Sequence, residues 1–287
     1  MPTVRTLDIP VNGGTLRALR FGDGPQSILA AHGITASAMS FCTVARHLPP
    51  DRSLVALDLR GRGGSRDVTG PYGMSAHAAD LCAAAELVGP PVVLTGQSMG
   101  AYAALRAAAT RPELFSRLVL IDGGLPLPVP VGVDPDQVLR ATVGPALARL
   151  TETYPSVEDY VALFRAHPAL GPQWTEDMDA YVRYDAIGEP GGVRSRVNGE
   201  AVSADGRDLI LGRDAFGDDL RALKIPALLL YAPRGMLGQE PGMVPQPLVD
   251  AWTAATLLTA ELVPDSNHYT ILMGEGPATT VAARLAA

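Results

Sequence analysis

The sequence predicts an α/β fold with a mostly parallel central sheet and helices on both faces, on three observations. Six short apolar runs recur along the 287 residues: "SILAAHG", "SLVALDLRG", "PVVLTGQS", "RLVLIDGG", "PALLLYAP" and "LTAELVPDSNH". Their hydrophobicity is continuous rather than alternating, which suits strands buried on both faces of a parallel sheet. Helix-like stretches such as "SAHAADLCAAAELV" and "MGAYAALRAAATRPELF" lie between runs, giving the β-α alternation of this class. Finally, residues able to do chemistry stand at the ends of the runs, where open α/β sheets bind their ligands.

In chain order, "VRTLDIPVNGGTLRALRFG" reads as two strands about the turn at Asn12-Gly13-Gly14. The first four apolar runs follow, and then the rhythm breaks. "LPLPVPVGVDPD" is too rich in proline for the interior of a helix or strand. Three helical segments come next, "QVLRATVGPALARLTETY", "SVEDYVALFRAHP" and "EDMDAYVRYDAI", then the Gly- and Arg-rich "GEPGGVRSRVNGE". Strand signals resume only at "IPALLLYAP". An insertion of this length exceeds a plain crossover loop. We therefore read residues 1–124 and 218–287 as the core and residues 125–217 as a mainly helical cap.

Composition narrows the function classes. Hydrophobic residues make up 47% and charged residues 18%, enough apolar surface for a large core. A formal net charge of −7 with no basic block argues against nucleic acid as a partner. Lys224 is the only lysine and a poor Schiff-base candidate, and no cofactor or metal site is expected. Cys42 and Cys82 read as buried thiols within helices. No signal peptide is evident, and no apolar run approaches the ~18 residues of a membrane helix. A cytoplasmic protein with no membrane partner is expected, with a homodimer left open.

The most informative stretch is "LTGQSMGAYAAL". Gly96-Gln97-Ser98-Met99-Gly100 fits G-x-S-x-G directly after an apolar strand and before an Ala-rich helix, the context of a nucleophile elbow. Ser98 is thus the candidate nucleophile, against a merely structural turn. A serine needs a base. Of five histidines, His268 follows the last strand run and precedes the C-terminal helix, which fits the order Ser…acid…His. His47 and His77 read as surface or helix-packing residues. At the end of another run, "AAHGIT" offers a second turn, and backbone N–H groups of Ile34 and Met99 are the candidate oxyanion donors. Gly33 allows the tight approach. His32 reads as structural rather than as a base, although it and Gly33 are counted with the residues around substrate.

"AAHGIT", "LDLRGRGGS", "GQSMGA" and "NHYTIL" occur in the order found in the α/β-hydrolase superfamily, which the chain resembles over essentially its full length. That resemblance implies the α/β-hydrolase fold, a cap inserted between strands and a serine-based triad. It implies for the "DLRGRGGS" turn a part in shaping the rim of the sheet. One departure concerns the acid. Many members carry it after the strand that follows the cap, but "LLLYAPRGMLGQEPG" holds only Glu240. Other members carry it one strand earlier, where this chain has Asp122. We therefore rank Asp122 above Glu240 and above Asp265, which lies three residues before His268.

A serine at the elbow favours acyl transfer from a carboxylic ester or lactone of moderately apolar character. Thioester hydrolysis, C–C cleavage, acyl transfer and a non-catalytic small-molecule binder remain the alternatives. From the cap, Phe164, Trp174, Tyr181 and Tyr184 are candidates for a substrate wall, each with helix packing as the competing role. Met39 and Met99 are placed at the acyl pocket. Arg183, Arg194 and Arg196 read as solvated, with one of them able to meet a substrate carboxylate.

Overall fold

The computed structural model of the chain describes residues 3–126 and 132–287. Residues 127–131, within the proline-rich stretch, lie outside that description. Strands β1 (Val4–Val11) and β2 (Gly14–Phe21) form the expected hairpin, with Val11 paired to Gly14 across Asn12 and Gly13. The six apolar runs become β3 (Gln26–Ala31), β4 (Arg52–Leu57), β5 (Val92–Gln97), β6 (Phe115–Ile121), β9 (Ala227–Tyr231) and β10 (Leu258–Leu262). Two short strands, β7 (Ala186–Glu189) and β8 (Gly192–Ser195), pair only with each other.

The main sheet runs β1-β2-β4-β3-β5-β6-β9-β10. Its β1-β2 and β2-β4 pairings are antiparallel and the remaining five parallel. Continuous hydrophobicity has a simple cause here, because successive residues enter different apolar layers. On β3, Leu29 and Ala31 face one cluster while Ile28 and Ala30 face the other. On β6, Leu118 and Leu120 share the first cluster, Val119 and Ile121 the second. Helices Met74–Val88 and Met99–Thr110 cover the first face, and Cys42–Arg46 and Glu275–Ala286 the second. Cys42 and Cys82 are free and buried, and burial pushes both thiols up, to about 12 and about 11.

The chain leaves β3 for β4 on one side and returns past β3 to β5 on the other. The carboxyl ends of β3 and β5 therefore flank a topological switch point, the place where such sheets open a crevice.

The insertion between β6 and β9 is mainly helical: Pro135–Arg149, Val157–Arg165, Glu176–Asp185, Gly199–Leu211 and Arg213–Ala222. Four of these start on a capping side chain, from Asp134, Ser156, Thr175 and Asn198 respectively. Pro145 sits inside the first, which kinks at Val143. Two details differ from the sequence reading. The Gly- and Arg-rich stretch holds the β7–β8 hairpin, because Gly191 and Gly192 take positive φ and turn two four-residue strands. The expected boundary at 217 falls inside helix Arg213–Ala222. Phe216 there is buried with its ring 4.8 Å from Tyr102 of the core, and Asp219 accepts from Arg106, so this helix packs with the core. Among the described residues no helix is long and apolar enough to cross a membrane.

Candidate active site

Ser98 is the residue between β5 and helix Met99–Thr110, and its backbone is forced to φ 54° and ψ −122°. This is a strained conformation for a residue with a side chain, held by its surroundings. The Ser98 N–H donates to Ile121 O at 2.9 Å, which ties the turn to β6. A Cβ on Gly100 would lie 2.2 Å from Ala31 O, so only glycine lets the helix start this close to β3. The helix begins at Met99, with its N-terminal N–H groups beside the serine.

Asp122 follows β6 directly and takes φ 46°, the left-handed region that Asp tolerates better than most residues. Its N–H donates to Leu230 O at 2.7 Å and its Oδ1 accepts from Ala232 N–H at 3.1 Å. The other oxygen, Oδ2, lies 2.6 Å from His268 Nδ1. Both side chains are buried. Sequence places these two residues 146 apart, and the sheet brings them together. The loop that carries His268 is set by Asn267, whose Oδ1 accepts from Tyr269 and Thr270 N–H at 3.0 Å each. Asn267 Nδ2 reaches Ala169 O at 2.8 Å, so this loop is also fastened to the insertion. With Nδ1–H turned to the carboxylate, Nε2 carries the lone pair. Gln97 Nε2 lies 3.3 Å from it and donates to His268 O at 3.0 Å. Glu240 and Asp265 are both exposed.

Ser98 and His268 line one small cavity of about 50 Å³ with Gly33, Ile34, Gln97 and Tyr181. A larger cavity of about 470 Å³ adjoins it and shares Thr35, Val143, Ala146, Tyr181, Met236 and Tyr269. Phe164 lines this second chamber. Five expected pocket residues have side chains that face elsewhere. His32 is fully buried beneath the loop, with Nδ1 2.8 Å from Gly33 O while Leu59 N–H donates to Nε2 at 3.0 Å. Met39 is packed in the apolar layer, and its neighbour Ser40 takes the place at the cavity. Trp174 lies against Arg165, 5.3 Å from its ring, on an outer surface. Tyr184 donates to Asp58 Oδ2 at 2.5 Å. The Met99 side chain is buried as well, with Arg62 Nη2 3.9 Å from its Sδ. Aromatic and Met residues register in a sequence as apolar volume, without saying which side of a helix faces the cavity.

His32 has a thermodynamic signature. Burial lowers its pKa from 6.5 to about 3, with Arg62 and His77 adding to the effect against the Gly33 bond. The folded state therefore keeps this ring neutral while the unfolded chain protonates near 6.5. Stability should fall as pH drops through that window, by about 1.4 kcal/mol per pH unit from this group. Denaturant unfolding at pH 7 and 4.5 should show the wild type losing roughly 2–3 kcal/mol more than His32→Gln, whose amide can replace both bonds. Equal losses would remove His32 as the cause.

The "DLRGRGGS" turn is fastened from within. Asp58 accepts from Ala38 and Gly64 N–H at 2.8 and 2.7 Å, and Arg60 holds Asp80 through two bonds of 2.6 and 2.7 Å. Burial pushes the Asp58 carboxyl up, against the bonds from Tyr184, Ala38 and Gly64. Arg62 donates to Ile34 O at 3.0 Å and to Asp205 Oδ2 of the insertion at 2.5 Å. His77, expected to be an ordinary packing residue, joins this fully buried cluster at 3.0 Å from Asp205. Burial pushes Asp205 up, but His77, Arg62 and the Gly73 N–H outweigh it and bring it down to about 2. Among the described residues no group of three or more His, Cys, Asp or Glu is placed to hold a metal ion.

Residues 28–284 match the model of the alpha/beta hydrolase family. The chain belongs to that family. This alpha/beta hydrolase is 36% identical over 147 residues to N-formylmaleamate deformylase of Pseudomonas putida, a match covering 48% of the chain and 54% of the relative. It is 35% identical over 114 residues to lipase LipV of Mycobacterium tuberculosis, covering 39% and 43%. The aligned part thus spans about half the length of these curated relatives, or less. Among solved structures, E-2-(acetamidomethylene)succinate hydrolase superposes with a TM-score of 0.79, covering 98% of each chain at 21% identity. That level of identity speaks for the hydrolase fold.

Proposed function

We propose that this alpha/beta hydrolase is a serine hydrolase that cleaves a carboxylic ester or lactone through an acyl-enzyme. One observation supports the reading above all others: His268 is held by Asp122 at 2.6 Å and shares a cavity with a serine on a strained strand-to-helix turn. In the reaction, Ser98 Oγ attacks the carbonyl carbon while His268 Nε2 takes its proton. The oxyanion is met by the Ile34 and Met99 N–H groups. The imidazolium, stabilised by Asp122, then protonates the leaving alkoxide as the C–O bond breaks. Water repeats the sequence on the acyl-enzyme, and the acid product leaves. Gln97 must release Nε2 as the serine engages it, in keeping with catalytic bonds that tighten only with substrate present.

Similarity to a deformylase favours a second substrate class, an N-formyl amide cleaved by the same residues. There His268 would protonate a departing nitrogen instead of an oxygen. A fluorophosphonate probe tests the shared step. It is expected to leave one adduct, mapped to Ser98 by peptide mass spectrometry. No adduct, or an equal adduct on Ser98→Ala, would reject the nucleophile. A panel of esters, lactones and N-formyl amides then separates the two substrate classes.

A further inference from the structure

The larger chamber beside Ser98 is walled mostly by apolar side chains, yet Arg149 lines it while only 9% exposed. Its Nη1 donates to Tyr160 Oη and, at 3.0 Å, to Asp185 Oδ2. The same Asp185 oxygen accepts from Tyr160 and Ser195 at 2.5 and 2.8 Å, so its charge is shared among three donors. Among the described residues Arg149 Nε and Nη2 have no hydrogen-bond partner. The guanidinium also lies 5.0 Å from the Phe164 ring, a packing that fixes its plane.

His167 lines the same chamber. Its Nδ1 accepts from Ala169 N–H at 3.2 Å, which leaves Nε2 as an N–H donor. Burial lowers its pKa, so it is a neutral donor at neutral pH. The one acid at the wall, Glu152, is exposed and already accepts from Tyr154 Oη at 2.9 Å. The chamber thus presents a fixed cation with spare donors on an apolar wall, which complements an anionic group on an apolar chain. Of the other arginines considered for this task, Arg183 and Arg194 are engaged with acids and Arg196 lies 5.5 Å from the Tyr184 ring, and none of them lines the chamber.

We propose that Arg149 anchors a carboxylate subsite, so that the ester cleaved at Ser98 carries a carboxylate on the portion lodged in the larger chamber. The substrate class rests on the nucleophile reading above, but binding at the subsite does not.

The test compares 4-nitrophenyl esters of equal acyl length that end in a carboxylate or in a methyl group. Wild type is expected to favour the carboxylate by at least about tenfold in kcat/KM, mainly through KM. In Arg149→Met/Asp185→Asn, which avoids leaving Asp185 unpaired, that ratio should fall to about one. Arg183→Met should keep the wild-type ratio. Calorimetry on Ser98→Ala should detect adipate, the free dicarboxylate, and lose the signal when the Arg149 and Asp185 changes are added. Arg149-dependent adipate binding without any ester turnover would support the subsite and reject the esterase reading. Ester turnover with no carboxylate preference in wild type would overturn the subsite, even if the double variant does not fold. Adipate binding indifferent to Arg149 would overturn it too.

Discussion

Ser98→Ala is expected to lower kcat/KM for any ester the protein hydrolyses by roughly 10⁶-fold, leaving only what binding and the oxyanion donors contribute. The change removes one oxygen and leaves the backbone as it is. The strained turn is imposed by the Ser98 N–H bond to Ile121 and by the close approach at Gly100, neither of which involves Oγ. Thermal unfolding should therefore stay close to wild type while activity disappears. Stopped assays at high enzyme concentration, with active-site titration of the wild type, give the ratio. A variant within tenfold of wild type would mean that another nucleophile does the work.

Asp122→Asn should cost about 10⁴-fold in kcat, and the reason lies in its second hydrogen bond. Ala232 N–H needs an acceptor at Oδ1, so the asparagine oxygen is kept there. The amide NH₂ is then the group placed against His268 Nδ1, where Oδ2 stood at 2.6 Å. Nδ1 must accept, Nε2 must carry the proton, and the ring can no longer take one from Ser98. Glu240→Gln and Asp265→Asn remove exposed carboxylates and should change the rate by less than about twofold. A crippled Glu240→Gln beside an active Asp122→Asn would reverse the assignment. Kinetics on the three purified variants decide it.

Legibility in the sequence followed the range of the interactions. The elbow around Ser98 is a local device of glycines between a strand and a helix, so five adjacent residues announce it. The sheet was readable because its central strands, such as β3 and β6, meet two apolar layers and so become continuously hydrophobic. Asp122 was visible through its place at a strand end and a carboxylate missing elsewhere, since its partner is 146 residues away. Nothing local marks Arg149, Gln97 or Arg62, whose roles come from contacts across the fold. Arginine is abundant, and the ones picked from the insertion, Arg183, Arg194 and Arg196, do not line the chamber. Met39, Trp174 and Tyr184 show the converse limit, because a large side chain is apolar whichever way it points. The β7–β8 hairpin was hidden for a different reason: four-residue strands flanked by glycine carry almost no periodic signal.

The Arg62 cluster has a consequence for how such a protein can be rebuilt. Arg62 grips the carbonyl of Ile34 from below, while its charge is balanced by Asp205 from the inserted segment. Swapping in a relative's insertion that lacks this acid would strand a wholly enclosed guanidinium, at a cost of about 3–5 kcal/mol. The disturbance would reach the peptide of Ile34, which lines the cavity at Ser98, whatever pocket residues the new insertion brought with it. The insertion is therefore no interchangeable module for altering selectivity. Any graft has to bring its own counter-charge to Arg62 beneath the Ile34 loop.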